Sequence, residues 1–416
     1  MPAGRPHGPS RAEVEASVAR AHADEWAAVL AAATRVARDL DLAEDCVQDA
    51  YAQALTHWPA TGIPARPGGW LTTVATRRVL EIRRRSAVLA AKLPLLVVDH
   101  HDAADGFPDD RLRLIFTCCH PALAREAQLA LTLRLVAGLS IAEVARALLV
   151  KEPALQARIT RAKKKVQQAR IPYRIPAPEE LPERVDAVLD VIHLVYTSGH
   201  TAADGPDLSR DALAARAIDP ARMLDTLLPG RADVQALLAL LLLNEARRPA
   251  RTDHEGRLVL MENQDRSRWD TGMIAEGTAR LRQALQEVPV HRYAVLAAIA
   301  ALHDEAPTWP ETDWPQILGL YDLLVARWPS PVVELNRAVA ISYVHGPAEA
   351  LAAVEPLVAL PALATYPYAA ATRADLLRRL GRATEAAEAY REAAMLTTNP
   401  VEAAYLLSRA EPHSDG

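Results

Sequence analysis

Apolar residues recur along this chain at helical spacing almost from end to end. In the stretch ALQARITRAKKKVQQAR (154–170), Leu155, Ile159, Ala162, Val166 and Ala169 step by three and four. At about 100° per residue they fall on one stripe, the mark of an amphipathic helix. Ahead of it, LSIAEVARAL offers Ser140 and Glu143 as a capping box, which satisfies free N–H groups at a helix start. Ile141, Val144, Ala145 and Leu148 then form a buried stripe of their own. LVKEP leaves room for a short turn, with Pro153 in the second helix's first turn, where its missing N–H does no harm. Gly138 ends the preceding helix, which contains EAQLALTLRLVA. Helix, short turn and amphipathic helix together predict a helix-turn-helix.

Further upstream, DLDLAEDCVQDAYAQALTHW is read as a helix opened by a capping box of Asp41 and Glu44. Val47, Ala50, Tyr51, Ala54, Leu55 and Trp58 make its apolar face, while Asp45, Gln48, Asp49 and Gln53 lie elsewhere. After the turn PATGIPARPGG comes WLTTVATRRVLEIRRR. Its Leu71, Val74, Ala75, Val79 and Ile82 point inward and its arginines at 77, 78, 83, 84 and 85 gather on the remaining surface.

These patterns divide the chain into a helical block over 11–86, a linker over 87–108, a second block over 109–171 and a helical extension over 178–410, followed by a short disordered tail. IPYRIPAPEELP, rich in proline, is the clearest boundary. The extension ends in two similar units. YAAATRADLLRRLGRATEAAEAYREAAMLTTNP has small Ala374, a turn at Gly381, then Ala386, Tyr390 and Ala393, with Pro400 ending the second helix. VVELNRAVAISYVHGPAEALAAVEPL repeats the order with Ala338, Gly346 and Ala350. The spacing is close to the ~34 residues of a tetratricopeptide (TPR) repeat, whose small residues let neighbouring helices touch. The expected fold class is all-α, ending in a TPR-like α-solenoid.

Charge sharpens this picture. The net −5 resolves into −3 for residues 1–110, +10 for 111–175 and −12 for 176–416. A basic island between acidic blocks suits a polyanion partner. On the helix of 154–170, Arg158, Arg161, Lys164 and Lys165 fill an arc away from the apolar stripe, with no acidic residue after Glu152 to pair them. That arc is expected to dock against nucleic acid: phosphate contacts supply affinity, and Gln156 and Arg158 near the helix start reach base edges.

Other chemistry is thin. Three cysteines, Cys46, Cys118 and Cys119, make no disulfide framework and point to a reducing compartment. Cys118-Cys119-His120 lacks the ligand spacing of a zinc site, and neither metal nor cofactor is expected. His254, Glu255, Glu262, Asp265 and Arg266 could form acid/base pairs. Without a nucleotide, protease or esterase motif beside them they are read as a buried ion network locking helices, and no enzyme activity is expected. The apolar run Ala236–Leu243 is too short to span a bilayer, where about 20 residues are needed. The start of the chain lacks a signal peptide's apolar stretch, so a cytoplasmic location is expected.

The order of these motifs carries a resemblance. An AED-x-x-QDA helix, a W-L-T-T helix ending in RRR, a linker and a basic helix-turn-helix together resemble the extracytoplasmic-function sigma factors of bacterial RNA polymerase. LRLIFTCCHPAL, ALTLRL, LMENQDRSRWD (260–270), TDW (312–314) and LNRAVA (335–340) narrow it to the subgroup with a TPR-like C-terminal extension. The first block then resembles sigma region 2 and the second resembles region 4. The resemblance implies core RNA polymerase and promoter DNA as partners, with no membrane. It implies that Asp45, Gln48, Asp49 and Gln53 grip the polymerase clamp. The loop 59–69 and the helix from Trp70 to Arg85, with Thr73, Arg77, Arg78, Arg84 and Arg85, would capture the melted minus-ten strand. Gln156, Arg158, Arg161, Lys164 and Lys165 would enter the major groove at the minus-thirty-five element. Trp70 is expected to be a core aromatic.

A linker over 86–108 stretches to roughly 75–80 Å, enough to bridge promoter boxes two to three helical turns apart at ~34–36 Å per turn. The acidic extension is expected to dock on the sigma core and tune its access to polymerase or promoter. Two rival readings use the same residues: a helix-turn-helix regulator with a TPR sensor domain that never binds polymerase, and a TPR scaffold or enzyme with an incidental basic patch.

Overall fold

A computed structural model describes residues 9–90, 110–148, 150–201, 210–397 and 399–411. Every regular element among these residues is helical, and the one β feature among them is an isolated antiparallel bridge between Thr252 and Leu258. Most of the expected linker and the expected tail lie outside the described residues. Two compact units divide the chain, Met1–Val195 and Tyr196–Gly416.

The first unit opens with three helices, α1 (Arg11–Ala37), α2 (Leu40–Thr61) and α3 (Pro67–Ala90), packed pairwise. Ser10 and Glu13 start α1 with a reciprocal capping box. The chain leaves α1 through Arg38 in the left-handed conformation (φ 54°) and enters α2 at Asp39, whose carboxylate accepts from the Leu42 amide at 2.9 Å. Thus α2 begins two residues before the expected Asp41 cap, and Glu44 is free for another role. Ala43, Val47, Ala50, Ala54 and Trp58 line the core with Leu71, Ala75 and Val79 of α3. Leu55, assigned to the apolar face, is 44 % exposed.

The helices α4 (Asp110–Cys118) and α5 (Arg125–Leu131) follow, the latter running into a wider π turn over Thr132–Val136. Gly138 breaks it with φ 70°, and a Cβ there would sit 3.0 Å from the Trp26 ring of α1. The expected capping box then starts α6 (Ile141–Ala147): the Ser140 amide donates to Glu143 at 2.6 Å and the Glu143 amide to Ser140 Oγ at 3.2 Å. A short turn leads to α7 (Glu152–Gln168), with Pro153 in its first turn. Leu155, Ile159 and Ala162 are buried as the stripe requires, Val166 is half-buried, and Ala169 is exposed beyond the helix end.

The proline-rich segment does not end this unit. Ile171 and Ile175 are buried, and Tyr173 donates to the Ala31 carbonyl at 2.9 Å. The following α8 (Leu181–Thr201) contributes Arg184, which donates to the Phe116 carbonyl at 2.6 Å, and Asp190, which pairs with Arg125 at 3.0 Å. The division between units therefore falls inside α8, past the proline boundary.

In the second unit α9 (Arg210–Leu227), α10 (Ala232–Ala246), α11 (Thr271–Ala284) and α12 (Arg292–Glu305) precede α13 (Trp314–Arg327). The apolar run of α10 is buried all round, covered by α9, α11 and α12. Then α14 (Pro331–Val344), α15 (Pro347–Val358), α16 (Pro367–Arg379), α17 (Ala383–Leu396) and α18 (Pro400–Ala410) stack each on the next. Turns at Gly346 (φ 96°) and Gly381 (φ 75°) join the pairs as expected, and Ala338, Ala350, Ala374, Ala386 and Ala393 are buried where helices touch. Pro400 starts a further helix, because α17 already ends at Leu396 and Asn399 caps α18.

The three extension signatures are structural in this unit. In LMENQDRSRWD, Arg266 donates to the carbonyls of His303 and Ala306, both at 2.6 Å, and lies over the Trp269 ring. In TDW, Asp313 caps α13 and Trp314 stacks on Tyr343 at 4.0 Å between ring centres. In LNRAVA, Ala338 and Ala340 are core residues. The expected buried ion network is not built from 254–266: His254, Glu255, Glu262 and Asp265 are exposed. Its place is taken by Arg247 and Asp304, paired at 3.0 Å with both side chains buried, which tie α10 to α12. Burial pushes Asp304 up to about 6, against the pull of Arg247.

Candidate nucleic-acid interface

Helix α7 presents two distinct polar flanks. On one, Arg161, Lys164 and Lys165 are exposed and Arg158 is half-buried, while Gln156, also exposed, lies at the edge nearer Lys163. Arg161 folds back to donate to the Ala157 carbonyl at 3.2 Å, so it is not spent on a carboxylate. The expected contiguous basic arc is therefore present on the surface.

The other flank carries a residue that the periodicity left unassigned. Lys163 is only 9 % exposed. Its ammonium donates to Glu44 at 2.6 Å and to Asp41 at 2.7 Å, both on α2. Arg134, from the π turn, ion-pairs with the other Glu44 oxygen, and Gln48 donates to that same oxygen at 3.2 Å. Burial pulls the Lys163 ammonium down, but Glu44 and Asp41 outweigh it and hold its pKa above the ordinary lysine value. Two cations from the helix-turn-helix block thus meet two carboxylates from the three-helix block, and each buried charge has a partner. Around them Trp26 donates to the Leu135 carbonyl at 3.1 Å, Gln167 donates to Asp39 at 3.1 Å, and Arg35 pairs with Asp110 at 2.7 Å.

A signal for Lys163 existed in the sequence. At about 100° per residue it lies some 40° beyond Ile159, on the edge of the apolar stripe and far from the basic arc. A lysine there has its stem over apolar surface and needs a carboxylate at the tip.

On α2, Asp45, Gln48, Asp49 and Gln53 are all exposed along one side. Partial burial raises the Asp45 pKa, with Lys163 pulling it back. On α3, Thr73, Arg77, Arg84 and Arg85 are exposed and Arg78 is half-exposed. The Thr73 hydroxyl donates to the Gly69 carbonyl at 2.8 Å, Arg77 pairs with Glu81 at 3.5 Å, and Arg78 reaches Asp49 at 3.8 Å and Glu81 at 3.6 Å. Arg83 donates to the Val36 carbonyl at 2.8 Å while staying exposed, beside the exposed Arg84 and Arg85. Trp70, expected in the core, is half-exposed; its ring stacks on His57 at 6.0 Å and meets Trp58 edge-on at 5.5 Å, and Trp58 is the fully buried one.

The remaining candidates are quiet. Cys118 and Cys119 are wholly buried thiols, Cys119 pushed up to about 11, and the His120 ring accepts from the Ala122 amide. Among the described residues no group of three His, Cys, Asp or Glu side chains is placed to hold a metal ion. Among them, too, no helix is long and apolar enough to cross a membrane.

Comparison with known families agrees with this geometry. Residues 27–88 match sigma-70 region 2 and residues 113–166 match sigma-70 region 4. Residues 184–285 match a family of unknown function, DUF6596. An uncharacterized protein of Rhizobium meliloti (strain 1021) is 43 % identical over 387 residues, 91 % of each chain. The three-helix block and the helix-turn-helix are thus regions 2 and 4 in the expected order, and the chain belongs to the sigma-70 family of transcription initiation factors, in the extracytoplasmic-function-like form that carries a C-terminal extension.

Proposed function

We propose that the exposed side of α2 docks on the core polymerase clamp through Asp45, Gln48, Asp49 and Gln53. In the same reading α3 holds the melted minus-ten strand with Thr73, Arg77, Arg78, Arg84 and Arg85, and α7 reads the minus-thirty-five element with Gln156, Arg158, Arg161, Lys164 and Lys165. The observation that carries it is an uncompensated basic arc on the second helix of a helix-turn-helix, joined in one chain to an acidic and amide-rich face on α2. The work is non-enzymatic and belongs in the cytoplasm, where the polymerase is.

Run-off transcription with purified core polymerase on a promoter library tests the whole assignment, and promoter-specific transcripts are the expected result. The clamp face can be tested against duplex binding by α7. Asp45→Lys with Asp49→Lys is expected to weaken polymerase binding by about a hundredfold, since truncating or reversing central interface charges costs on the order of 2–5 kcal/mol. Both side chains are exposed, so helix content should hold. Duplex binding by α7, measured on the same variant, should not fall. Undiminished polymerase binding would sink the α2 assignment.

The acidic extension acts on the sigma core as a built-in modulator, in support of which stands the −12 of residues 176–416 against the +10 of 111–175. A truncation that tests this must follow α8, because Arg184 and Asp190 belong to the region-4 packing. A chain ending at residue 201 is expected to change promoter output severalfold in run-off assays; identical output from short and full chains would remove the idea.

A further inference from the structure

In the first unit a cleft of about 720 Å³ opens between the last turn of α1, the start of α2, α4, the C-terminal half of α7 and the segment 170–173. The volume is within the range of small-molecule sites. Part of its wall is apolar, formed by Leu40, Val166, Ile171 and Tyr173, whose hydroxyl is held by the Ala31 carbonyl at 2.9 Å.

The polar part of the lining holds two arginines with unused donors, one from each sigma region. Arg35, at the end of α1 in region 2, is exposed and engages Asp110 through Nε at 2.7 Å. Among the described residues its two terminal amino groups have no further carboxylate, and Asp110 is itself shared with Arg113 at 3.4 Å. Arg170, just past α7 of region 4, is exposed and pairs with no carboxylate among the described residues. Its backbone is left-handed (φ 47°), a conformation that strains any side-chain-bearing residue and that glycine would adopt freely. The other non-glycine residue with positive φ, Arg38, lines the same cleft. Two carboxylates lie on the lining. Asp41 is taken by Lys163, and Asp39 accepts from the Leu42 amide at 2.9 Å and from Gln167 at 3.1 Å, so the site is assigned to the side of Arg35 and Arg170. A guanidinium fork matches the oxygens of a phosphate, and an anion held by both arginines bridges the two regions.

We propose that this cleft binds a small organic phosphate, its phosphoryl group between Arg35 and Arg170 and its apolar body against Leu40, Val166 and Tyr173, and that the bound ester holds regions 2 and 4 together. Binding and bridging stand on the contacts of the first unit alone. Only the consequence, restraint of initiation, rests on the promoter assignments of α3 and α7.

The test is calorimetric titration of the full-length chain with 1-naphthyl phosphate, 1-naphthol and inorganic phosphate, which separate the apolar body from the charge. The ester is expected to saturate a single site with a Kd below about 1 mM and to bind about tenfold or more tightly than either fragment. Arg170→Gly deletes the cation and suits the left-handed backbone, so the melting temperature should not fall while ester affinity drops by about tenfold or more. Arg161→Glu with Lys164→Glu, on the opposite flank of α7, should leave ester affinity within about twofold. Bridging is read separately in Glu44→Gln, which removes a carboxylate from the Lys163 cluster: saturating ester should raise energy transfer between dyes on α3 and α7, and adding Arg170→Gly should cancel the rise. No polymerase or promoter enters these measurements, so their failure is distinct from failure of the promoter assignments. The proposal is overturned if no probe binds, if inorganic phosphate or naphthol binds as tightly as the ester, or if Arg170→Gly keeps full affinity. Loss of binding in the α7 double variant, which would put the ester on the basic arc, or binding that leaves energy transfer unchanged would overturn it too.

Discussion

Arg161→Glu combined with Lys164→Glu is expected to abolish promoter-directed transcription while leaving polymerase binding intact. Both side chains are exposed on the flank of α7 away from region 2 and neither pairs with a carboxylate, so the substitutions remove no folding contact of consequence. Each phosphate-contacting cation contributes about one unit to the slope of log affinity against log salt, and loss of both should flatten that slope by about two. Reversal also sets two carboxylates against the phosphate backbone. Together these should lower duplex affinity and run-off transcript by about a hundredfold or more at physiological salt. Substitution of Gln156 or Arg158 should behave differently: it should relax sequence preference by about 1–3 kcal/mol per position with little change in salt slope. A double charge reversal that transcribes normally would show that α7 is not the promoter-reading helix.

What the sequence disclosed and what it withheld follow a physical line. Features set by local chemistry were legible: the Ser140–Glu143 box, Pro153 in the first turn of α7, the breaks at Gly138, Gly346 and Gly381, and the exposed basic arc. Each depends on residues within a few positions of one another. Features decided by distant partners were not. Asp41 and Glu44 read as a helix cap because the spacing allows it, but Asp39 does that work and the two carboxylates face Lys163 more than a hundred residues away. The proline-rich segment looked like a boundary because proline excludes helix, yet Ile171 and Ile175 are buried and the half-buried Tyr173 is bonded to α1. Trp58 and Trp70 differ in burial although both sit at helix termini next to apolar runs, and only the packing of α2 on α3 decides between them.

The contact between regions 2 and 4 has the larger consequence. With Lys163 on Glu44, α7 lies beside α2, and a helix is only about 10–12 Å across. The basic arc is then within a few helix diameters of α3, whereas promoter boxes two helical turns apart are separated by about 70 Å. On the proposed assignment of α3 and α7, a single chain that holds this contact does not span both boxes, and the expectation is that initiation requires the charge cluster to open. Glu44→Gln is the substitution that should open it. The change leaves Lys163 and Arg134 facing each other with Asp41 as their one remaining carboxylate, and breaking a buried ion pair by removing one partner costs about 3–5 kcal/mol. The ratio of open to closed chain should rise by about two to four orders of magnitude. Lys163→Met should act in the same direction but more weakly, because Glu44 keeps Arg134. Asp24→Asn, an exposed change of the same charge, should do nothing. The measurement is energy transfer between dyes on α3 and α7 in the free protein, with far-ultraviolet circular dichroism to verify that the helices persist. Lower transfer is expected for Glu44→Gln, an intermediate value for Lys163→Met and the parental value for Asp24→Asn. If Glu44→Gln keeps its helices and its transfer efficiency, the cluster is not what holds the two regions together.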